Sequence, residues 1–184
     1  MIKTGFLTFL ILLFSSHMAN ATTYDSKHLA IFSKLIPRVL IFTSQYNKIT
    51  DTMNICILHD EKDMLISDQL AKTIHKSYPK GIKNHPIDIK SKLFSEIDTC
   101  KDTLLIFLLN TNKTTVDNVL KFSKKHHILT MSYNPELLDY GVTSSISIKR
   151  NIKPYLNLIR LKDEGITVKS VLISVSKIYK SDTK

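Results

Sequence analysis

Tryptophan is absent from this sequence, and glycine occurs only four times, at Gly5, Gly81, Gly141 and Gly165. Glycines so far apart cannot build a G-x-G-x-x-G turn, a P-loop or a G-x-S-x-G nucleophile elbow, each of which needs closely spaced glycines. The common dinucleotide-binding, nucleotide-triphosphate and α/β-hydrolase chemistries are therefore excluded, and no cofactor is expected.

Cysteine is scarcer still. Cys56 and Cys100 are the only two, too few for a zinc site. No C-x-x-C or H-x-x-x-H spacing supplements them, although His59 lies near Cys56, so no metal is expected. An even pair is a disulfide candidate in an oxidising compartment.

Acidic residues are outnumbered, 16 Asp and Glu against 26 Lys and Arg, for a formal net charge of +10. A basic chain often binds nucleic acid. Here no RNP-like, helix-turn-helix or zinc-finger pattern occurs, and the lysines are spread with few aromatics between them. No nucleic-acid partner is expected. The plain reading is a solvated lysine surface, and attraction to an anionic membrane surface or acidic partner is the other.

Apolar runs of membrane-spanning length, roughly 20 residues, are also missing. The longest run, Phe6–Phe14, follows Lys3 and precedes Ala19-Asn20-Ala21. A short positive region, an apolar stretch and small residues two apart form a cleavable secretory signal. Residues 1–21 are thus expected to be removed, leaving a single domain over 22–184 in the periplasm. That length is enough for a real core.

The remaining chain alternates helical and strand-like periods. Leu29, Phe32, Ile36, Val39 and Leu40 predict a helix over roughly 27–45. Pro37 either kinks it or starts a second helix. Met53–Leu58, Pro86–Ile89, Thr103–Leu109 and His127–Met131 read as strands. Residues 63–78 form a helix, a brief one carries Leu93, Phe94 and Ile97, and Asn112 or Thr114 caps another. Asn134-Pro135 opens a short helix ending near Tyr140-Gly141. Val142–Lys149 and Ile152–Leu158 read as a hairpin. A closing amphipathic helix, with Thr167 as its N-cap, carries Val168, Val171, Leu172, Val175, Ile178 and Tyr179. The fold class is α/β: an open, mainly parallel sheet with helices on both faces and a C-terminal antiparallel hairpin plus helix.

Such sheets place ligands beyond the carboxyl ends of their strands. Those ends carry His59 and Asp60, then Asn110 and Thr111, then Ser132. Together they would line one small-ligand crevice. The same residue types also serve as helix caps and turn residues. His59-Asp60 has no Ser or Cys partner at a usable spacing, so no catalytic residue is assigned and the chain reads as a non-enzyme.

Several segments in order are similar to the YfiR-like family of periplasmic proteins. They are Leu35-Ile36-Pro37-Arg38-Val39-Leu40, Asn54-Ile55-Cys56-Ile57-Leu58-His59-Asp60, Cys100 with Thr103–Phe107, and Ile128-Leu129-Thr130-Met131-Ser132. Gly141, Asn157, Gly165-Ile166 and Lys169-Ser170-Val171-Leu172 match the closing pattern. The chain lacks a second cysteine pair and the Trp-Pro that often follows the first helix, so it resembles a divergent branch.

The resemblance implies a non-catalytic regulator that binds the periplasmic domain of a membrane signalling protein, such as a diguanylate cyclase or sensor kinase. It also pairs Cys56 with Cys100. In a doubly wound sheet their strands would be neighbours, about 4.8 Å apart, which a disulfide can bridge. The alternative function is a small periplasmic solute-binding protein using the strand-tip crevice. A homodimer and a small-molecule ligand are both compatible with these readings.

Overall fold

Strand pleating divides the interior into two apolar layers. In β1 (Met53–His59), Ile55 and Ile57 enter one cluster while Cys56 and Leu58 enter the other. β3 (Leu105–Leu108) splits likewise, Leu105 and Phe107 against Ile106 and Leu108. This is the period-two alternation of an extended chain with both faces buried. The computed structural model describes residues 24–180, so the cleavable leader expected at 1–21 lies outside the described residues.

The first cluster is covered by α1 (Ser26–Ile41) and α2 (Met64–Ser77), through Phe32, Ile36, Leu40, Leu70 and Ile74. Phe32 meets Phe107 edge-on, with ring centroids 5.3 Å apart. The second is covered by α3 (Lys113–His126), through Val116, Val119 and Leu120. Each such fully buried side chain contributes roughly 1.5–3 kcal/mol.

Among the described residues, seven strands lie in the order β2-β1-β3-β4-β5-β6-β7. The others are β2 (Ile87–Leu93), β4 (Leu129–Ser132), β5 (Ser144–Ile148), β6 (Ile152–Leu156) and β7 (Lys177–Ile178). Among the strand pairs of this sheet in the described residues, the β5–β6 hairpin alone is antiparallel. The chain leaves β1 for β2 on one side and then returns to β3 on the other. The carboxyl ends of β1 and β3 therefore flank a topological switch point, where the connections diverge and leave a crevice.

Cys56 and Cys100 are joined, with Cα atoms 5.9 Å apart. Cys100 ends a 3₁₀ segment, Phe94–Cys100, which brings it alongside β1 from the α3 face. Among the described residues no helix is long and apolar enough to cross a membrane.

α1 runs through Pro37 without restarting and ends at Ile41, short of the expected 45. Asp25 opens it by accepting from the Lys27 and His28 amides. Asn112, not Thr114, caps α3 by accepting from the Thr115 amide at 3.0 Å. His127 is left-handed, φ 52°, and closes α3 instead of opening β4.

The largest departure is at the C-terminus. The single closing helix is replaced by α4 (Leu158–Asp163), α5 (Ser170–Val175) and β7. Asn157 ends the hairpin early because its side chain caps α4 through the Arg160 amide. Lys169, not Thr167, holds the N-cap position of α5. Ile178 belongs to β7, and the Tyr179 amide bonds to the Leu156 carbonyl. The β-branched Val168, Val171, Ile173, Val175 and Ile178 suit an extended chain as well as a helix. The open edge of β6 then decides the conformation by accepting the strand.

Candidate functional site

The switch point holds a polar cavity of about 320 Å³ lined by Asp60, Lys62, Asn110, Thr111, Asn112 and Asn134. Asp60 follows β1 directly. Asn110 to Asn112 bridge β3 and α3, and Asn112 is spent on the helix cap. Asn134 follows β4 and caps the 3₁₀ turn Pro135–Tyr140 by accepting from the Glu136 amide. A second hollow of about 240 Å³, with Phe32, Tyr133 and Ile148 in its wall, shares Asn110 and Asn134 with the first.

Three of the five residues expected at this crevice meet there: Asp60, Asn110 and Thr111. His59 and Ser132 are not in its lining. His59 is 3% exposed. Its Nδ1 lies 2.9 Å from the Asp60 carbonyl, which can only accept, so Nδ1 carries the proton. Nε2 lies 3.1 Å from the Ser91 hydroxyl, which also bonds the Ser67 hydroxyl at 2.7 Å. The imidazole thus fastens β1 to β2 and α2. Ser132 is buried and donates to the Asn134 carbonyl at 2.8 Å, shaping the loop beneath the cavity.

Tyr24 braces the floor. Its hydroxyl accepts from the Asn110 amide and donates to Asp63 Oδ2, both at 2.9 Å. Burial, reinforced by the neighbouring Asp63 carboxylate, pushes the Tyr24 phenol well above its ordinary range, so it stays a neutral donor. Burial also raises the Tyr133 phenol. Tyr133 packs between Tyr24 and Phe32, with centroid distances of 4.9 and 5.2 Å, and accepts from the Asp25 amide. This aromatic stack holds the start of α1 against the strand tips.

Thr111 is incompletely satisfied. Its Oγ1 is shielded from solvent and has no hydrogen-bond partner, whereas the Asn110 side-chain amide interacts with the Tyr24 hydroxyl. A buried polar group left unpaired costs about 1–3 kcal/mol. The cavity otherwise presents one carboxylate, one ammonium and side-chain amides. Groups of this kind can form hydrogen bonds and an ion pair with a polar molecule. Among the described residues, no group of three His, Cys, Asp or Glu side chains is placed to hold a metal ion. Lys62 and Asn134 were missed from the sequence because they come from turns, where no period marks them.

No protein-family model matches this sequence, and no curated protein matches it. Solved structures share its fold. A conserved domain protein from Vibrio cholerae superposes with a TM-score of 0.59 at 10% identity, over 83% of this chain and 60% of that one. An ABC domain from Streptococcus pneumoniae, crystallised in complex with L-Trp, gives a TM-score of 0.57 at 9% identity, over 82% of this chain and 60% of that one. The α/β architecture is therefore a known one. The chain spans about 60% of the length of these two proteins.

Proposed function

We propose that this chain is a non-catalytic binding domain that takes a small polar solute at the switch-point crevice, outside the cytoplasm. One observation carries the reading. The buried Thr111 Oγ1 has no protein partner, and Thr111 lines a polar cavity with Asp60, Lys62 and Asn110 that a solute could fill. A ligand giving this hydroxyl a donor or an acceptor would recover the cost of leaving it unpaired. The position agrees with where open α/β sheets bind ligands. The pneumococcal protein of similar fold, with its bound L-Trp, lends support at the level of architecture. The Cys56–Cys100 bond fits an oxidising compartment such as the periplasm.

Thermal unfolding in the presence of free amino acids, L-Trp first, and of other small polar metabolites tests this reading. A true ligand at a hundredfold excess over its Kd stabilises by about 2.7 kcal/mol and raises the Tm. Thr111→Ala should abolish that rise. If no solute moves the Tm, or Thr111→Ala responds like the parent, the crevice is not a binding site.

A second reading, a regulator that docks on the periplasmic domain of a membrane signalling protein, is favoured by exposed apolar side chains. Val171 and Val175 on α5 are each 52% exposed, and Ile173 between them is also exposed. Apolar groups gathered in solvent mark contact surfaces. In-cell crosslinking should attach a membrane protein to the parent chain and lose it with Val171→Asp. Capture that is unchanged by Val171→Asp, or an unchanged cyclic-di-GMP or kinase output on gene deletion, would set this reading aside.

A further inference from the structure

A larger cavity, of about 520 Å³, lies at the other end of the sheet. Gly141 leads into β5, and Asn157 follows the antiparallel β6, so both stand where the parallel strands begin. Side chains from α3, the Pro135–Tyr140 turn and α4 enclose the space between them. Leu120 and Leu138 give it an apolar floor, and the exposed Ile159 lies on its rim. The volume falls in the range of small-molecule sites, roughly 300–1,000 Å³.

Three cations line it: Lys121, Lys124 and Arg160. Arg160 is held in place, because its Nε donates to the Gly141 carbonyl at 3.3 Å. Gly141 is left-handed, with φ 104°. A Cβ there would stand 3.1 Å from Arg160 Nε and 3.3 Å from Leu120 Cδ1. The glycine thus serves both the turn and the seat of the guanidinium. The two terminal nitrogens of Arg160 make no hydrogen bond among the described residues. Nη2 forms an ion pair with Glu164 Oε1 at 3.9 Å, too long for a hydrogen bond.

Two acids share the lining. Asp139 is already engaged, accepting from the Tyr179 hydroxyl at 2.7 Å. Asp117 lies one turn before Lys121 on α3. Three lining cations face two lining acids, and the guanidinium fork, paired with the buried Glu164 only at ion-pair distance, keeps donors free of hydrogen bonds. Such a fork matches the paired oxygens of a carboxylate or phosphate.

We infer that this cavity binds a small organic anion, a carboxylate or phosphate ester carried on an apolar or aromatic body. Arg160 takes the anionic group, Lys121 and Lys124 add attraction, and Leu120, Leu138 and Ile159 hold the body. The site is separate from the switch-point crevice and does not depend on its being occupied.

Titration of the disulfide-intact protein with benzoate, phenyl phosphate, inorganic phosphate and benzyl alcohol, followed by two-dimensional NMR, tests the assignment. One of the aromatic anions should shift the Leu120, Leu138 and Gly141 signals with a Kd of about 1 mM or tighter. The better of benzoate and phenyl phosphate identifies the anionic group. Inorganic phosphate and benzyl alcohol should bind roughly tenfold more weakly or worse, each lacking half of the recognition. Arg160→Gln should weaken the anion roughly tenfold or more, and Lys72→Gln, exposed on α2, should change nothing. The paired Lys121→Gln and Lys124→Gln variant, changed only at exposed positions, should lower affinity severalfold even if Arg160→Gln does not fold. Equal binding of benzyl alcohol, undiminished binding in Arg160→Gln or in the paired variant, or no binding of either aromatic anion would overturn the proposal.

Discussion

Glu164→Gln will stabilise the protein at pH 8 and leave it nearly unchanged at pH 4. Glu164 is 2% exposed, and neither carboxylate oxygen has a hydrogen-bond partner. Burial pushes its carboxyl from an ordinary 4.5 up to about 7, against the opposing pull of Arg160 and Lys124 and with a smaller push from Asp163. The His127 ring, 3.4 Å from the Glu164 carbonyl, also faces this residue. The folded state thus keeps a proton that the unfolded chain releases from about pH 4.5 upward. Stability contributed by the protonated acid is complete below that value and is lost as pH rises to about 7. A shift of this size corresponds to an upper bound on the order of 3 kcal/mol, at about 1.4 kcal/mol per pH unit. Glutamine has no charge to desolvate, so urea denaturation should show a gain of about 2–3 kcal/mol at pH 8. A gain of equal size at pH 4, or a loss at pH 8, would mean that the buried charge is not what costs stability.

Breaking the disulfide should have the larger effect. Cys56 and Cys100 are separated by 44 positions and are both fully buried. Closing a loop of that length removes about 4 kcal/mol of unfolded-chain entropy. Cys56→Ala and Cys100→Ala should each lower the Tm by about 8–16 °C, at roughly 2–4 °C per kcal/mol for a domain of this size. The double variant should be no worse than the single ones, because the bond is lost once. Thiol labelling of denatured, unreduced protein should find neither cysteine free in the parent. Two labelled thiols would remove the cross-link from the account.

How far the chain could be read depended on whether one physical signal dominated. β1, β3 and β4 were legible because apolar runs bounded by polar residues fit a strand covered on both faces. The disulfide was legible because Cys56 and Cys100 are the only cysteines and strand order sets them side by side. The C-terminus was not, because Val168 to Ile178 satisfies the helical period and the β-branched preference together. Only the bare edge of β6, which pairs with Lys177 and Ile178, breaks that tie. Asp60, Asn110 and Thr111 could be placed at the crevice from their position after strands alone. His59 could not be excluded that way, since the hydroxyl that occupies its Nε2 comes from Ser91, 32 residues later. Glu164 was equally hidden: nothing in Lys162-Asp163-Glu164-Gly165 announces which acid the fold will bury.

The two margins of the sheet bear on how this molecule can assemble. An unpaired strand invites a neighbouring chain to extend it, and aggregation begins there. β7 ends one margin after two residues, too short a template to seed a ladder. β2 ends the other with Asp88, Lys90 and Lys92 set at alternate positions, charges that an incoming strand would have to desolvate. Both features act against growth by strand addition and leave helices and loops as the freer surfaces for association with another protein or a second copy.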